Sequence, residues 1–128
     1  MLDKSTICAV STAPGVGGIA VIRVSGPEAL PVALRLFRYG GETPVAESVK
    51  PRYAYYGEVI AGDELIDEVV LTYFRAPHSF TGEDTVEISC HGSVYIRRRL
   101  LESLVGEGCQ MAQPGEFTRR AYLNGRMD

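Results

Sequence analysis

The sequence predicts an α+β domain, a mixed β-sheet covered by helices. Three observations carry that reading. Short β-branched runs stand at Ile7–Val10 and residues 19–24, two aromatic and β-branched runs flank Ala61-Gly62-Asp63-Glu64, and apolar residues recur at helical spacing in the segments between and after them. The strands pair with short connections, which favours antiparallel pairing.

The elements follow in order. The first two runs are strands joined by the glycine-rich stretch at residues 11–18. Ser25-Gly26-Pro27-Glu28 then offers a serine at a helix N-cap, proline in the first turn and glutamate three residues after the serine. Ala29, Leu30, Ala33, Leu34 and Phe37 follow at helical spacing, so a helix is expected over residues 27–37. Glycines, prolines and charges break any period over residues 38–51, which read as loop. Residues 53–60 and 65–74 form an antiparallel hairpin. Residues 85–90 alternate Val86 and Ile88 with Thr85, Glu87 and Ser89, placing Glu87 on the face opposite the aliphatics. A helix over residues 94–105 ends at Gly106 and Gly108, with Arg97-Arg98-Arg99 as a solvated face, and a third over residues 116–123 closes at Asn124-Gly125.

Length and composition bound the function. A chain of 128 residues with 45% hydrophobic and 23% charged side chains is one domain with one core. Thirteen Lys and Arg against sixteen Asp and Glu give a net charge of −3, where a surface built for a phosphate backbone is basic, so the chain by itself should hold nucleic acid poorly. The apolar stretches are too short to span a bilayer, and Met1-Leu2-Asp3-Lys4-Ser5 does not begin a signal peptide; a cytoplasmic protein with no membrane partner is expected. Cys8, Cys90 and Cys109 are an odd number at wide spacing, which fits reduced, buried thiols and neither disulfides nor zinc ligands.

Several segments could carry chemistry. The glycine-rich loop at residues 14–18 lacks the lysine that a P-loop aims at phosphates, and a strand follows it where a dinucleotide fingerprint needs a helix; a tight turn is the better account. Cys90-His91 invites a nucleophile and base, yet neighbours on a strand point to opposite faces. His91 at a strand-to-helix junction and His78 in a loop both read as structural. The densest segment is residues 80–92, FTGEDTVEISCHG, with Glu83, Asp84 and Glu87 beside an aromatic and two glycines. A carboxylate there can accept two hydrogen bonds from an amidine-like edge such as a pterin or guanine offers. The alternative is a loop whose acids cap Thr81-Gly82 and face water.

That stretch, with PGEFTRRAYLNGRMD at residues 114–128 and APGVGGIAVIRVSGPEA at residues 13–29, resembles the tRNA-modifying GTPase family called MnmE or TrmE. The three blocks fall in family order and span nearly the whole chain. The resemblance implies that residues 1–128 are a single folate-binding and dimerisation domain, similar in fold to the tetrahydrofolate domain of aminomethyltransferases. It implies 5-formyl-tetrahydrofolate, or a related one-carbon folate, bound through Arg23, Glu87 and Arg126. Glu87 would take the pterin edge, and the arginines would take the glutamate-tail carboxylates or polar groups. No catalytic residue and no metal ligand is carried over.

In the family a helical domain interrupted by a potassium-dependent GTPase domain follows, so the chain is expected to be a fragment of that enzyme. GTP, magnesium and potassium belong to the GTPase domain it lacks. A flavin-dependent partner of the MnmG or GidA type and tRNA join the full-length complex, which modifies C5 of the wobble uridine. This chain has Val16 where the family often has arginine, Ser93 where it has a second glycine, and Arg126 where it has lysine, which alters the donor geometry there. Two other readings stand beside this one: a dimerisation scaffold with a vestigial folate pocket, and a hydrolase using Cys90 and His91. The homodimer surface is expected on the hairpin, which carries Tyr53, Tyr55, Tyr56, Tyr73 and Phe74.

Overall fold

The computed structural model describes residues 4–12 and 18–126. Strands β1 (Ile7–Val10) and β2 (Ile19–Ser25) lead into helix α1 (Ala29–Leu36) and a two-residue strand β3 (Phe37–Arg38). The hairpin β4 (Tyr55–Ala61) and β5 (Glu64–Phe74) precedes β6 (Thr85–His91), helix α2 (Val94–Gly106), strand β7 (Gln110–Met111) and helix α3 (Glu116–Leu123). The fold is α+β, and among the described residues seven strands form one sheet in the order β3-β4-β5-β6-β2-β1-β7. Every neighbouring pair is antiparallel except β1 with β7, so the sheet is mixed.

Strand alternation divides the sheet into two unlike faces. Cross-strand register sets Cys8 beside Val24 on the outer pair, Ile22 beside Ile88 in the middle and Leu71 beside Ile88 on the far side. These residues join Val69, Val86 and Cys90 in one core with α1 and with Leu100 and Leu104 of α2. The opposite face carries Ala9, Arg23, Glu87 and Thr72 in one row across four strands. The predicted alternation of residues 85–90 is therefore present, with Val86 and Ile88 buried and Glu87 half-buried on the other side.

Local departures have local causes. Ser25 belongs to β2 and does not cap α1, whose N-cap is Glu28 without a side-chain bond. The Ser25 hydroxyl is already engaged, 2.7 Å from Thr81 Oγ1 and donating to Glu83 Oε1 at 2.7 Å. The segment read as loop over residues 38–51 hides β3 and a 3-10 turn, Ala46–Ser48. Strand β3 can pair with β4 because position 57 is glycine: a Cβ there would lie 2.6 Å from the Phe37 ring and 2.3 Å from the Arg38 carbonyl. Helix α2 gains a cap that periodicity alone did not reveal, Ser93 Oγ accepting from the Ile96 N–H at 3.0 Å.

The arginine triplet is not uniformly solvated. Arg99 is tied to Glu64 at 2.7 Å and Arg97 is half-buried, leaving Arg98 as the exposed member. On the hairpin Tyr73 is buried and Tyr55 and Phe74 are half-buried, so Tyr53 and Tyr56 are the exposed aromatics of that group. The Tyr56 hydroxyl donates to Glu68, which raises the Tyr56 pKa above its ordinary value. Cys8, Cys90 and Cys109 are all buried and free. Among the described residues no helix is long and apolar enough to cross a membrane.

Candidate functional site

The polar row on the open face converges at β2 and β6. Arg23 and Glu87 stand directly opposite each other in the register, and Arg23 offers both Nε (3.1 Å) and Nη2 (3.0 Å) to the single oxygen Oε2 of Glu87. Both side chains are mostly covered yet reach solvent. The Arg23 guanidinium lies 4.7 Å from the Phe80 ring centroid and 5.3 Å from that of Phe117, so two aromatics hold the cation in place. Glu87 Oε1 takes no hydrogen bond from any described residue, leaving an acceptor oriented by a fixed partner. Beside the pair opens a cleft of about 410 Å³, bounded by Val10, Ser11, Arg23, Phe80, Gln113 and Phe117.

The loop that supplies Phe80 is held from beneath by a buried ionic network. Arg120 of α3, 1% exposed, places Nη1 3.2 Å from each Glu83 oxygen and Nη2 2.9 Å from Glu116 Oε2, and it also donates to the Ser5 carbonyl at 2.7 Å. Asp84 Oδ1 accepts from the Ala76 N–H at 2.8 Å. The three acids of this segment therefore do not share a water-facing role. Glu83 turns inward to Arg120, Asp84 fixes the Ala76 backbone, and Glu87 pairs with Arg23, the member of that pair that lines the cleft.

Helix α3 closes on the same loop from its other end. Asn124 Nδ2 donates to the Thr81 carbonyl at 2.9 Å, and Arg126 Nε donates to the Ser79 carbonyl at 3.1 Å. Gly82, at φ 82°, allows this approach, since a Cβ there would stand 2.8 Å from Asn124 Cβ and 3.2 Å from Arg126 Cγ. Of the three residues singled out in the sequence, the fold brings Arg23 and Glu87 into contact. It holds Arg126 at the Ser79 carbonyl, next to Phe80, and Arg126 is not among the residues that line the cleft.

Sequence reasoning missed Phe80, Phe117 and Arg120. The Glu116–Arg120 pair had a legible signal, opposite charges four apart on a helix. The aromatics had none, because only the folded chain brings residues 80 and 117 to position 23.

Cys90 and His91 do not form a nucleophile and base. Cys90 is buried on the core face, where burial pushes its thiol up to about 11, and the His91 ring is exposed with Nδ1 2.8 Å from Asp67 Oδ1. Gly18 aside, the glycine-rich loop lies outside the described residues.

The family model described as GTP-binding protein TrmE N-terminus matches residues 6–126. The chain belongs to this family. A relative from Porphyromonas gingivalis, named tRNA modification GTPase MnmE, is 67% identical over 126 residues, covering 98% of this chain and 27% of the relative. Proteins of the same name from Parabacteroides distasonis and Enterococcus faecalis are 58% and 46% identical, covering 97% and 99% of this chain and 27% of each relative. The chain thus spans about a quarter of the length of these curated relatives. Membership in the TrmE N-terminus family reaches both elements of the site, since the matched span contains Arg23 and Glu87 as well as the Phe80 loop and α3.

Proposed function

We propose that this domain binds a one-carbon tetrahydrofolate of the 5-formyl type in the cleft beside Arg23 and Glu87. In that role it acts as the folate-binding and homodimer-forming module of a cytoplasmic GTPase that modifies C5 of the wobble uridine in tRNA, working with a flavin-dependent partner. The observation that carries the reading is the Arg23–Glu87 pair, whose guanidinium lies against Phe80 and Phe117 and lines a cleft while one Glu87 oxygen takes no hydrogen bond from a described residue.

The residues fit such a ligand. A pterin presents a flat ring and an edge of N–H donors. Phe80 and Phe117 offer ring faces, Glu87 offers the acceptor, and about 410 Å³ lies within the range of small-molecule sites. The anionic tail calls for a cation outside the cleft. Arg119 lines an adjoining polar groove that shares Gln113, Pro114 and Glu116 with the cleft, and Arg126 is held at the Ser79 carbonyl beside Phe80. When bound, the folate would supply the one-carbon unit. The chain's own residues bind and orient it: Glu87 fixes the ring edge, Arg23 aims Glu87, and Phe80 and Phe117 pack against the Arg23 guanidinium.

One feature favours the scaffold reading as well, because Arg23 and Glu87 already satisfy each other and need no ligand to be stable. Isothermal titration with 5-formyl-tetrahydrofolate separates the two. Saturable heat with one site per chain is expected, and a flat titration of the folded domain would leave only the scaffold.

A further inference from the structure

The groove that adjoins the cleft is built of hydrogen-bond donors that the fold itself does not use. It measures about 310 Å³, is lined by Gln110, Met111, Gln113, Pro114, Glu116 and Arg119, and shares Gln113, Pro114 and Glu116 with the cleft at Arg23. Gln110, Gln113 and Arg119 are exposed, and none of their side chains bonds to a described residue. Glu116, the acid of this lining, is already engaged at both oxygens. Its Oε2 accepts from Arg120 at 2.9 Å and its Oε1 from the Gln113 N–H at 2.8 Å. The Arg119 guanidinium therefore has no acid in the groove to neutralise it.

The sheet edge adds a backbone donor. Strand β7 ends the sheet, and Gln110 and Ala112 turn their N–H groups to β1, donating to the Thr6 and Cys8 carbonyls at 2.8 and 2.9 Å. Successive N–H groups along a strand point to opposite sides, so that of Met111 points outward from the edge.

We propose that this groove receives the γ-linked glutamate chain of a polyglutamylated folate whose ring lies in the cleft, with Arg119 holding a carboxylate beyond the first glutamate. Each added glutamate brings one amide and one carboxylate, and the groove answers both. The side-chain amides of Gln110 and Gln113 and the Met111 N–H suit the peptide groups of the tail, and the guanidinium fork suits a carboxylate. Met111 and Pro114 offer apolar surface to the methylenes between them. A nucleic-acid backbone would call for a row of cations, and this lining supplies Arg119. The inference rests on the folate reading above and adds the form of the ligand: tail length is selected by a residue outside the ring site.

Isothermal titration of the chain with monoglutamyl and triglutamyl 5-formyl-tetrahydrofolate, at low and at high salt, tests it. The triglutamate is expected to bind about three- to fivefold more tightly at low salt, the gain of one exposed charge pair, and to lose that advantage at high salt as the pair is screened. Arg119→Gln should bring the two affinities together with the circular dichroism spectrum unchanged, because the side chain supports no other group. Arg126→Gln should leave their ratio as it is, since Arg126 lines neither the groove nor the cleft. Equal affinities of the wild-type chain for the two ligands would overturn this inference and leave the folate reading standing. A preference that survives Arg119→Gln, or that vanishes with Arg126→Gln, would overturn the groove as the seat of the tail. No saturable heat with either ligand would overturn the folate reading and this inference together.

Discussion

At the residue scale the site rests on one cross-strand pair. Glu87 is on the open face, so its side chain can be removed without touching Val86 or Ile88, and the open oxygen is the part of the pair that a ligand can use. A hydrogen bond to an ionised group is worth about 1.5–3 kcal/mol, which corresponds to at least about a tenfold loss of folate affinity for Glu87→Ala. Titration calorimetry of the variant, with its thermal unfolding measured alongside, is the check, and unchanged affinity in a folded variant would remove Glu87 from the site. The face of Glu87 was legible because β-strand alternation is a local rule. Its partner was not, since Arg23 lies 64 positions away in the chain and only the β2–β6 register makes them neighbours. The resemblance named both residues without saying that they touch.

At the element scale the Phe80 loop and α3 form one unit, held by Arg120 between Glu83 and Glu116. A buried arginine with two carboxylates is a demanding arrangement, since removing the cation leaves two half-buried or buried anions whose remaining donors, the Ser25 hydroxyl and the Gln113 N–H, carry no positive charge. Arg120→Ala is expected to cost about 3–5 kcal/mol, the range for breaking a buried ion pair on one side. The loss should appear as a lowered urea midpoint and as faster amide exchange over residues 79–84 and 116–124. A shift as small as that of a surface substitution would show that the loop is held without this pair. Helix α3 itself was legible to the residue from Glu116 to Leu123, because a turn at Pro114-Gly115 and a stop at Asn124-Gly125 are local signals. Its role was not, because a charged residue in an amphipathic stretch reads as surface, and only burial against residues 79–84 turns Arg120 into a clasp. Strand β3 was lost for a related reason: two residues carry no period, and the pairing depends on the absent side chain of Gly57.

At the scale of the whole molecule the fold class follows from counting strands and helices, while the sheet order does not. Placing β7 parallel to β1 and inserting β2 between β1 and β6 are decisions of tertiary packing that no window of sequence contains. The resulting sheet packs α1 and α2 on one face and carries Arg23 and Glu87 on the other. A phosphate-cradling loop needs a lysine directly after a glycine, followed by serine or threonine at the start of a helix. The chain has two lysines. Lys4 follows Asp3 and Lys50 follows Val49, so neither completes that pattern. The relatives named GTPases are nearly four times as long, and the chain matches 27% of each. The division proposed above therefore puts folate recognition in this chain and no GTP hydrolysis in it. The isolated chain should accordingly release no phosphate from GTP and retain none of the nucleotide in equilibrium dialysis, under the same conditions in which it is expected to bind 5-formyl-tetrahydrofolate. Turnover that copurifies with the domain through successive columns, and that disappears when Arg23 or Glu87 is replaced, would contradict this division. It would mean that the open face of the sheet holds a nucleotide by means other than a glycine-rich phosphate loop.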